Sequence, residues 1–548
     1  LLKSMYSMWI PLLLGVLGVL RVECLDAPLE NLPSKTRLHG NGIGQGDATS
    51  WHIQSDERLS TDLTEPSTLA VTLRALYLAI VFGPIPLTAG IAYFIGPYRR
   101  LVWYPLLCWA IAQCGAAWIK WAQWASTRPD MFPEGLCERL AVLQTQAPQH
   151  SAAHTRKEIE NTFGAPLESI FESFDFSPIA SASIAQVHRA VYRNITVAVK
   201  VRHPKVAERI AIDFRIMKAI AEWMDKQPLF KWLSLKDSIQ AFSHTMTGQT
   251  WLDCEADHLT LFNRNFQHWH DADFPTPLVS SESVLVETFE NGALVSDHSG
   301  AAALSQLPVP IAHFVVTRGE DLYLKMLLAD GLMHADLHPG NILVDFDPAV
   351  GVESARLVLV DAGMVANLLP EEKFHFVGLL QAIGEGDGIK AGRHVLDFSE
   401  FQSCASAECR HAFQEDMDAF FRTHCRGYGQ GIDLGVVLKG ILRLVRIHRV
   451  RIDVNYATLV MNALCLDGLA KQILPGHNVM DASKFLLRAH GSLGEGLTRT
   501  RFGRWFVDQV ALPLAQLRKS RKDKKQSRKL EELYRSYPRL TLPSGTAP

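Results

Sequence analysis

The sequence predicts an α+β fold of two lobes, preceded by an N-terminal helical extension and a transmembrane segment. Three observations carry that prediction. Apolar strands at Ile195–Val201 and Val284–Thr288 stand ahead of a long helical remainder, which reads as a smaller sheet lobe followed by a larger helical one. Two further apolar strands, one after Asn341 and one ending at Val360, each abut acidic or amide side chains. Ala75–Ile95 is uncharged over 21 residues.

Length and composition bound the reading. A chain of 548 residues can bury one large core or two to three smaller ones. A formal net charge of −2 leaves no global basic field for nucleic acid. Nine cysteines are scattered with no C-x-x-C pair, which argues against a zinc site or a thioredoxin-like redox pair. Their odd number predicts reduced, mostly buried thiols rather than a disulfide framework.

The elements follow in order. Residues 1–68 read as a targeting and disordered region. Met5–Leu20 has the length of a signal-peptide core and is a targeting segment or a hydrophobic anchor, while residues 21–68 are polar and without period. Residues 69–98 hold the transmembrane helix. At ~1.5 Å rise per residue, Ala75–Ile95 reaches across a ~30 Å hydrocarbon core. Arg74 precedes it, Arg99 and Arg100 follow, Tyr77 and Tyr93 sit near its ends, and Pro84 and Pro86 predict a kink. Residues 99–150 form the helical extension, where Leu101–Ile119 is a second span, an interfacial helix or a helix packed on the next domain, the last two preferred.

Residues 151–290 are the first lobe and 291–480 the second. In Ile195–Val201, alternation puts Ala198 and Lys200 on one face and Val197, Val199 and Val201 on the other. Ala207–Lys226 and Leu235–Phe266 read as helices, and Ile311–Asp330 as a helix stopped by Gly331. Beyond residue 370 the pattern is helical, including Leu434–His448 and Tyr456–Ile473. Residues 481–548 close the chain as a helical, basic tail. Its run Arg518–Lys529 is a solvated stretch or a contact for anionic headgroups.

The chemistry sits in two short pieces. His334–Val344 carries Asp336 and, five positions on, Asn341; the strand up to Val360 ends in Asp361-Ala362-Gly363. Phosphoryl transfer needs an Asp beside the acceptor, an Asn and a second Asp on magnesium, and a Lys on the phosphates. His334, Asp336, Leu337 and Asn341 fall in the frame H-R-D-L-x-x-x-N, and Asp361-Ala362-Gly363 stands where D-F-G would. On this reading Asp336 takes or orients the acceptor's proton, and Asn341 and Asp361 hold Mg2+ through oxygen ligands. Lys200 clamps the α/β-phosphates of a nucleotide. Glu255, 55 residues later on a helix, pairs with Lys200, with Asp253 and Asp257 as competitors.

Ahead of the Lys200 strand, Ala180, Ser181, Ala182 and Ser183 form a small-residue loop that lets backbone N–H groups approach phosphate oxygens. Glu287, on the strand Val284–Thr288, joins them among the nucleotide-binding residues. A rival metal site at His334, Asp336 and His338 lacks further ligands of clear spacing. A nucleotide-binding scaffold without turnover is a second functional reading. A plain structural membrane protein leaves the polar constellation unexplained.

With these residues in hand, the chain resembles the UbiB / aarF-domain-containing atypical kinases, over roughly residues 100–480. The resemblance rests on IASASIAQVHRA (179–190), VAVKVRHP (197–204), HADLHPGNILV (334–344), VDAG (360–363) and KWAQWASTRPDMFPEGLCERLAVLQ (120–144). In the last piece Lys120 and Gln123 match the family's K-x-G-Q motif. KWAQWASTR, Q-T-x-L, and FPTP followed by VLVET look most like aarF-domain kinase type 2.

The resemblance implies a two-lobed protein-kinase-like fold, ATP and Mg2+, an Ala-rich nucleotide loop, and K-x-G-Q helices folded over the place of a protein substrate. It implies ATPase or small-molecule kinase behaviour linked to ubiquinone biosynthesis and membrane lipid, with quinone-pathway intermediates and enzymes as partners. It also implies the mitochondrial inner membrane, which residues 1–68 do not, because their acids are unlike an Arg-rich transit peptide. Three departures stand out. Ala122 replaces the K-x-G-Q glycine; Gln249 and Trp251 occupy the places of the family's E-x-D acids; and Ala362 replaces the D-F-G Phe.

Overall fold

The computed structural model describes residues 37–38 and 67–516, apart from 127, 141–142, 144–148, 228–233, 296–306, 400–401, 403, 405, 475 and 493–499. Met5–Leu20 and Arg518–Lys529, each read as a targeting or lipid-contact segment, lie outside the described residues.

A seven-stranded antiparallel sheet builds the first lobe. Its order is Arg37–Leu38, Pro277–Ser280, Val284–Thr288, Ile195–Arg202, Ala185–Tyr192 and Ser173–Phe174, with Ala180–Ser181 also paired to Ala185–Tyr192. Val197, Val199 and Val201 enter an apolar cluster with Ile159, Phe171 and Val286, as their alternation requires. The opposite face carries Lys200 toward the second lobe. At the far edge Arg37 pairs with Ser280 and Leu38 with Val279. Part of the stretch expected to be disordered therefore covers an otherwise open sheet edge.

Two helices, Val206–Asp225 and Leu235–Gly248, pack on the extension rather than on the sheet. Phe214 and Phe242 share one cluster with Val71, Ala75, Leu78, Ile111 and Ala117. Arg74 Nε donates to Asp213 Oδ1 at 2.7 Å. The apolar segment runs as Thr68–Phe82 and Pro84–Phe94, and its first half is docked on the first lobe. After Gly96–Tyr98 the chain doubles back through Tyr104–Cys114. The Trp103 indole N–H donates to the Ile85 carbonyl at 3.0 Å, and the Tyr77 hydroxyl donates to the Gln113 carbonyl at 3.0 Å.

The second lobe holds the largest apolar cluster, built from Val309–Lys325 and the helices beyond residue 370. Four strands, Ala272–Asp273, Arg356–Leu359, Ile342–Asp345 and Ala293–Leu294, lie on its surface toward the first lobe, beside the pair Leu332–His334 and Val365–Asn367. The helix expected to end at Gly331 does so through a π-helical turn, Met326–Asp330, with Gly331 at φ +70°. The whole is an α+β protein-kinase-like fold with an N-terminal helical region.

The cysteine expectation needs one correction. Cys404 and Cys409 form a disulfide, because the loop between Gly388–Leu396 and Ala407–His424 brings their Cα atoms to 5.6 Å. Spacing along the chain gave no sign of it. Cys114, Cys137 and Cys425 are buried free thiols, as expected.

Candidate functional site

Lys200 comes from the middle of the Ile195–Arg202 strand, and its ammonium is 2.6 Å from Glu255 Oε1 and 3.0 Å from Glu287 Oε1. Glu255 stands in the first turn of Leu252–Phe266, the helix that crosses behind the sheet. Of the competing acids, neither Asp253 nor Asp257 is the residue that meets the lysine. Glu287 reaches it from the neighbouring strand, where Ala198 pairs with Glu287 and Lys200 with Leu285. The ammonium also donates to the Val360 carbonyl at 2.9 Å, which joins the lobes.

That carbonyl belongs to the residue before Asp361, and the Val360 N–H donates to the Asn341 carbonyl at 3.1 Å. One peptide unit on either side of Val360 thus ties Lys200, Asn341 and Asp361 together. Asp361 Oδ1 accepts the Gly363 N–H at 2.8 Å, the short turn that a small residue at 363 permits. Asn341 Nδ2 donates to the Asp336 carbonyl at 3.1 Å, which leaves the amide oxygen as its ligand atom. Asp336 is part-exposed, with Lys120 Nζ at 3.7 Å from its Oδ2.

The two histidines of the rival metal reading are turned to backbone. His334 Nε2 donates to the Asp361 carbonyl while its Nδ1 accepts the Asp336 N–H at 3.2 Å, which fixes the tautomer. His338 Nδ1 accepts the Gly340 N–H at 3.0 Å. Among the described residues no cluster of three His, Cys, Asp or Glu side chains is placed to hold a metal unaided.

The small-residue loop is a tight turn beside the clamp. Ala180 pairs with Val187, and Val187 with Lys200, so the three lie in one row across the sheet. The Ala182 N–H donates to the Ala185 carbonyl at 2.9 Å and closes the turn. Ser183 is buried, and the buried Ser181 hydroxyl has no partner. Gln123 of the extension donates through Nε2 to the Leu143 carbonyl at 2.8 Å, while Ala122 is fully buried in the extension's core.

Burial and charge compete throughout. Burial pulls the Lys200 ammonium down, but Glu255, Glu287 and Asp361 outweigh it and hold the charge. Burial pushes Glu287 up to about 8 against the pull of Lys200, with Glu255 adding to the rise. Burial likewise raises Glu255. Asp361 goes the other way: desolvation is outweighed by Lys200, the Gly363 N–H, Lys120 and His334, which keep it below the usual carboxylate range. An ionised carboxylate and an amide oxygen beside a lysine suit a Mg2+–triphosphate, since magnesium takes one or two protein oxygens and completes its shell with phosphates and water.

Sequence reading missed two contributors, Asn462 and His258. Asn462, from Val454–Ile473, donates to the His334 carbonyl at 2.6 Å and pins the loop from below. Its signal was an amide inside the apolar run of residues 459–466. His258 donates through Nδ1 to the Ala362 carbonyl at 2.9 Å. Gln249 lies against Gly363, where an added Cβ would stand 3.8 Å from its Cγ and Nε2, and its buried Oε1 has no partner. Trp251 caps the Glu255 helix from outside, with Arg202 over its ring at 6.0 Å.

A model of the ABC1 atypical kinase-like domain matches residues 142–394. A probable serine/threonine-protein kinase, abkC, of Dictyostelium discoideum is 32% identical over 497 residues, 78% of this chain and 70% of that protein. A mitochondrial ABC1 family protein of Schizosaccharomyces pombe is 26% identical over 522 residues, 80% of this chain and 74% of that protein. Among solved structures, the Rv3197–erythromycin complex of Mycobacterium tuberculosis aligns with TM-score 0.41 and 19% identity, covering 65% of this chain and 91% of that one.

Proposed function

The chain belongs to the ABC1/UbiB family of atypical kinases, and from that premise we propose that it is a membrane-associated, ATP- and Mg2+-dependent atypical kinase or ATPase of the aarF-domain kinase type 2 group. It supports ubiquinone or mitochondrial lipid metabolism, a role suggested by the family resemblance and by the mitochondrial relative. The observation that carries the catalytic reading is the Lys200 ammonium, held at once by Glu255 and by the carbonyl preceding Asp361.

Each side chain has a part in that reading. Lys200 holds the α/β-phosphates, and Glu255 keeps it aimed. Glu287 and the loop Ala180, Ser181, Ala182 and Ser183 line the nucleotide. Asn341 and Asp361 hold Mg2+, which neutralises phosphate charge when bound. Asp336 orients the acceptor or a water. Lys120 and Gln123 belong to a regulatory segment, because Lys120 sits on Asp336 before any acceptor does.

One observation favours a second reading, a nucleotide-binding scaffold without turnover. Gln249, a neutral amide, occupies the place of a family acid and faces Gly363. Mg2+-dependent thermal stabilisation by ATP, repeated with Asp361→Asn, tests the first reading. Wild-type protein is expected to gain stability and the variant to gain little; no gain in the wild type, or equal gains in both, refutes it. ATP hydrolysis above an Asp336→Asn control, with and without lipid, decides against the scaffold.

A further inference from the structure

We infer that residues 68–114 form a helical hairpin that lies in the surface of an anionic bilayer and returns to the side it left, so that the chain is not carried across. The inference rests on the membrane association proposed above and changes its geometry from a span to a monotopic anchor.

The outward leg, Thr68–Phe94, runs for 27 residues; its most apolar 18-residue window has mean hydropathy 1.8 and is 22% buried. It grips the first lobe through Val71, Ala75 and Leu78 and leaves Ile80, Leu87 and Phe94 exposed at 70%, 77% and 66%. Leu101 and Trp109 extend the exposed apolar surface on the way back. A face of this kind on a free monomer needs a cover.

Sidedness follows from where the legs begin and end. Val71 and Ala75 of the outward leg and Ile111 and Cys114 of the return leg sit in one core cluster, reinforced by the Arg74–Asp213 ion pair. Upstream, Arg37–Leu38 is already paired to the first-lobe sheet. The chain before the hairpin and the chain after it are therefore on the same side of any surface the hairpin enters.

Depth follows from length and charge. Beyond the docked turns, Ala79–Phe94 projects by ~24 Å, short of a ~30 Å hydrocarbon core. An upright hairpin would leave Arg99 and Arg100, just past its tip, in hydrocarbon, where arginine is strongly disfavoured. Lying flat, it sets both among anionic headgroups, with Tyr93 and Trp109 at the interface they prefer. This charge match selects a lipid surface over a second copy of the chain.

Full-length protein with one epitope ahead of Arg37 and another at the C-terminus is reconstituted into vesicles of phosphatidylcholine and phosphatidylglycerol, then digested to completion from outside. Each molecule is expected to lose both epitopes or keep both; molecules keeping only one mean a single crossing and overturn the inference. Arg99→Glu with Arg100→Glu is expected to weaken binding to these vesicles roughly tenfold or more, and to leave binding to pure phosphatidylcholine unchanged. Equal affinity of variant and wild type overturns the flat placement. Protein that ignores vesicles and sediments as a dimer overturns the lipid in favour of a second copy. Mg2+–ATP stabilisation, measured on the same samples, reads the kinase proposal separately: its loss alone counts against that proposal and leaves the hairpin standing.

Discussion

Replacing Lys200 by Met withdraws the cation that sits 2.6 Å from Glu255 and 3.0 Å from Glu287. Both carboxyls are buried, at 6% and 2% exposure, so water cannot take over. Removing one partner of a buried ion pair costs about 3–5 kcal/mol. Here two acids depend on one ammonium, but Glu287, already pushed up to about 8, takes a proton and relieves part of the loss. The expected net is about 3–5 kcal/mol, a fall in Tm of roughly 5–10 °C. Adding Glu287→Gln replaces the acid that has already taken a proton and is expected to recover only a minor part of that Tm, because Glu255 still lacks its cation. Neither variant regains stabilisation by Mg2+–ATP, since the phosphate clamp is gone in both. Scanning fluorimetry with and without Mg2+–ATP reads all three proteins. A Lys200→Met variant with wild-type Tm and an intact nucleotide shift would refute the reasoning.

Three other outcomes are expected. Lys120→Met frees Asp336 from a part-exposed contact at 3.7 Å, worth up to about 1 kcal/mol, and should raise ATP hydrolysis up to about fivefold; an unchanged rate means the contact is idle. Asn462→Ala strips the buried His334 carbonyl of its donor and should cost about 1–3 kcal/mol, lowering turnover more than nucleotide affinity, which kinetics beside calorimetric binding will separate. Burial holds His150, His394 and His490 near 4, below the value of about 6.5 in an unfolded chain. Their folded values are depressed, so the unfolded chain takes the proton more readily. Their stability is present above pH 6.5 and is lost as pH falls toward 4. A Tm profile over that range checks it, and His490→Gln should flatten the slope.

Most of the site was legible because its chemistry is written in short, local patterns. The alternation of Ile195–Arg202 told which face Lys200 takes, and the same pattern put its three valines in the core. Asp336 and Asn341 share one loop, and Asp361 ends the next strand, so their closeness follows from a single hairpin of chain. What stayed hidden depends on contacts between distant segments. No local period announces that Asn462, 128 residues beyond His334, will bond its carbonyl. The Cys404–Cys409 pair arose from a loop path, not from a spacing rule. Hydropathy found the apolar segment Ala75–Ile95 but not its partner, because Arg74 and Asp213 meet across 139 residues. A free span and a docked leg have the same composition.

The bond from Lys200 to the Val360 carbonyl has a kinetic side. It fastens one lobe to the other through the same ammonium that would receive phosphate. Parting the lobes means snapping that latch, and an arriving triphosphate offers the ammonium a substitute partner at the moment it lets go. On the proposed function, entry and exit of nucleotide would be gated by this one side chain, and anything that shortens or lengthens its reach, such as Lys200→Arg, would be felt first in exchange rates.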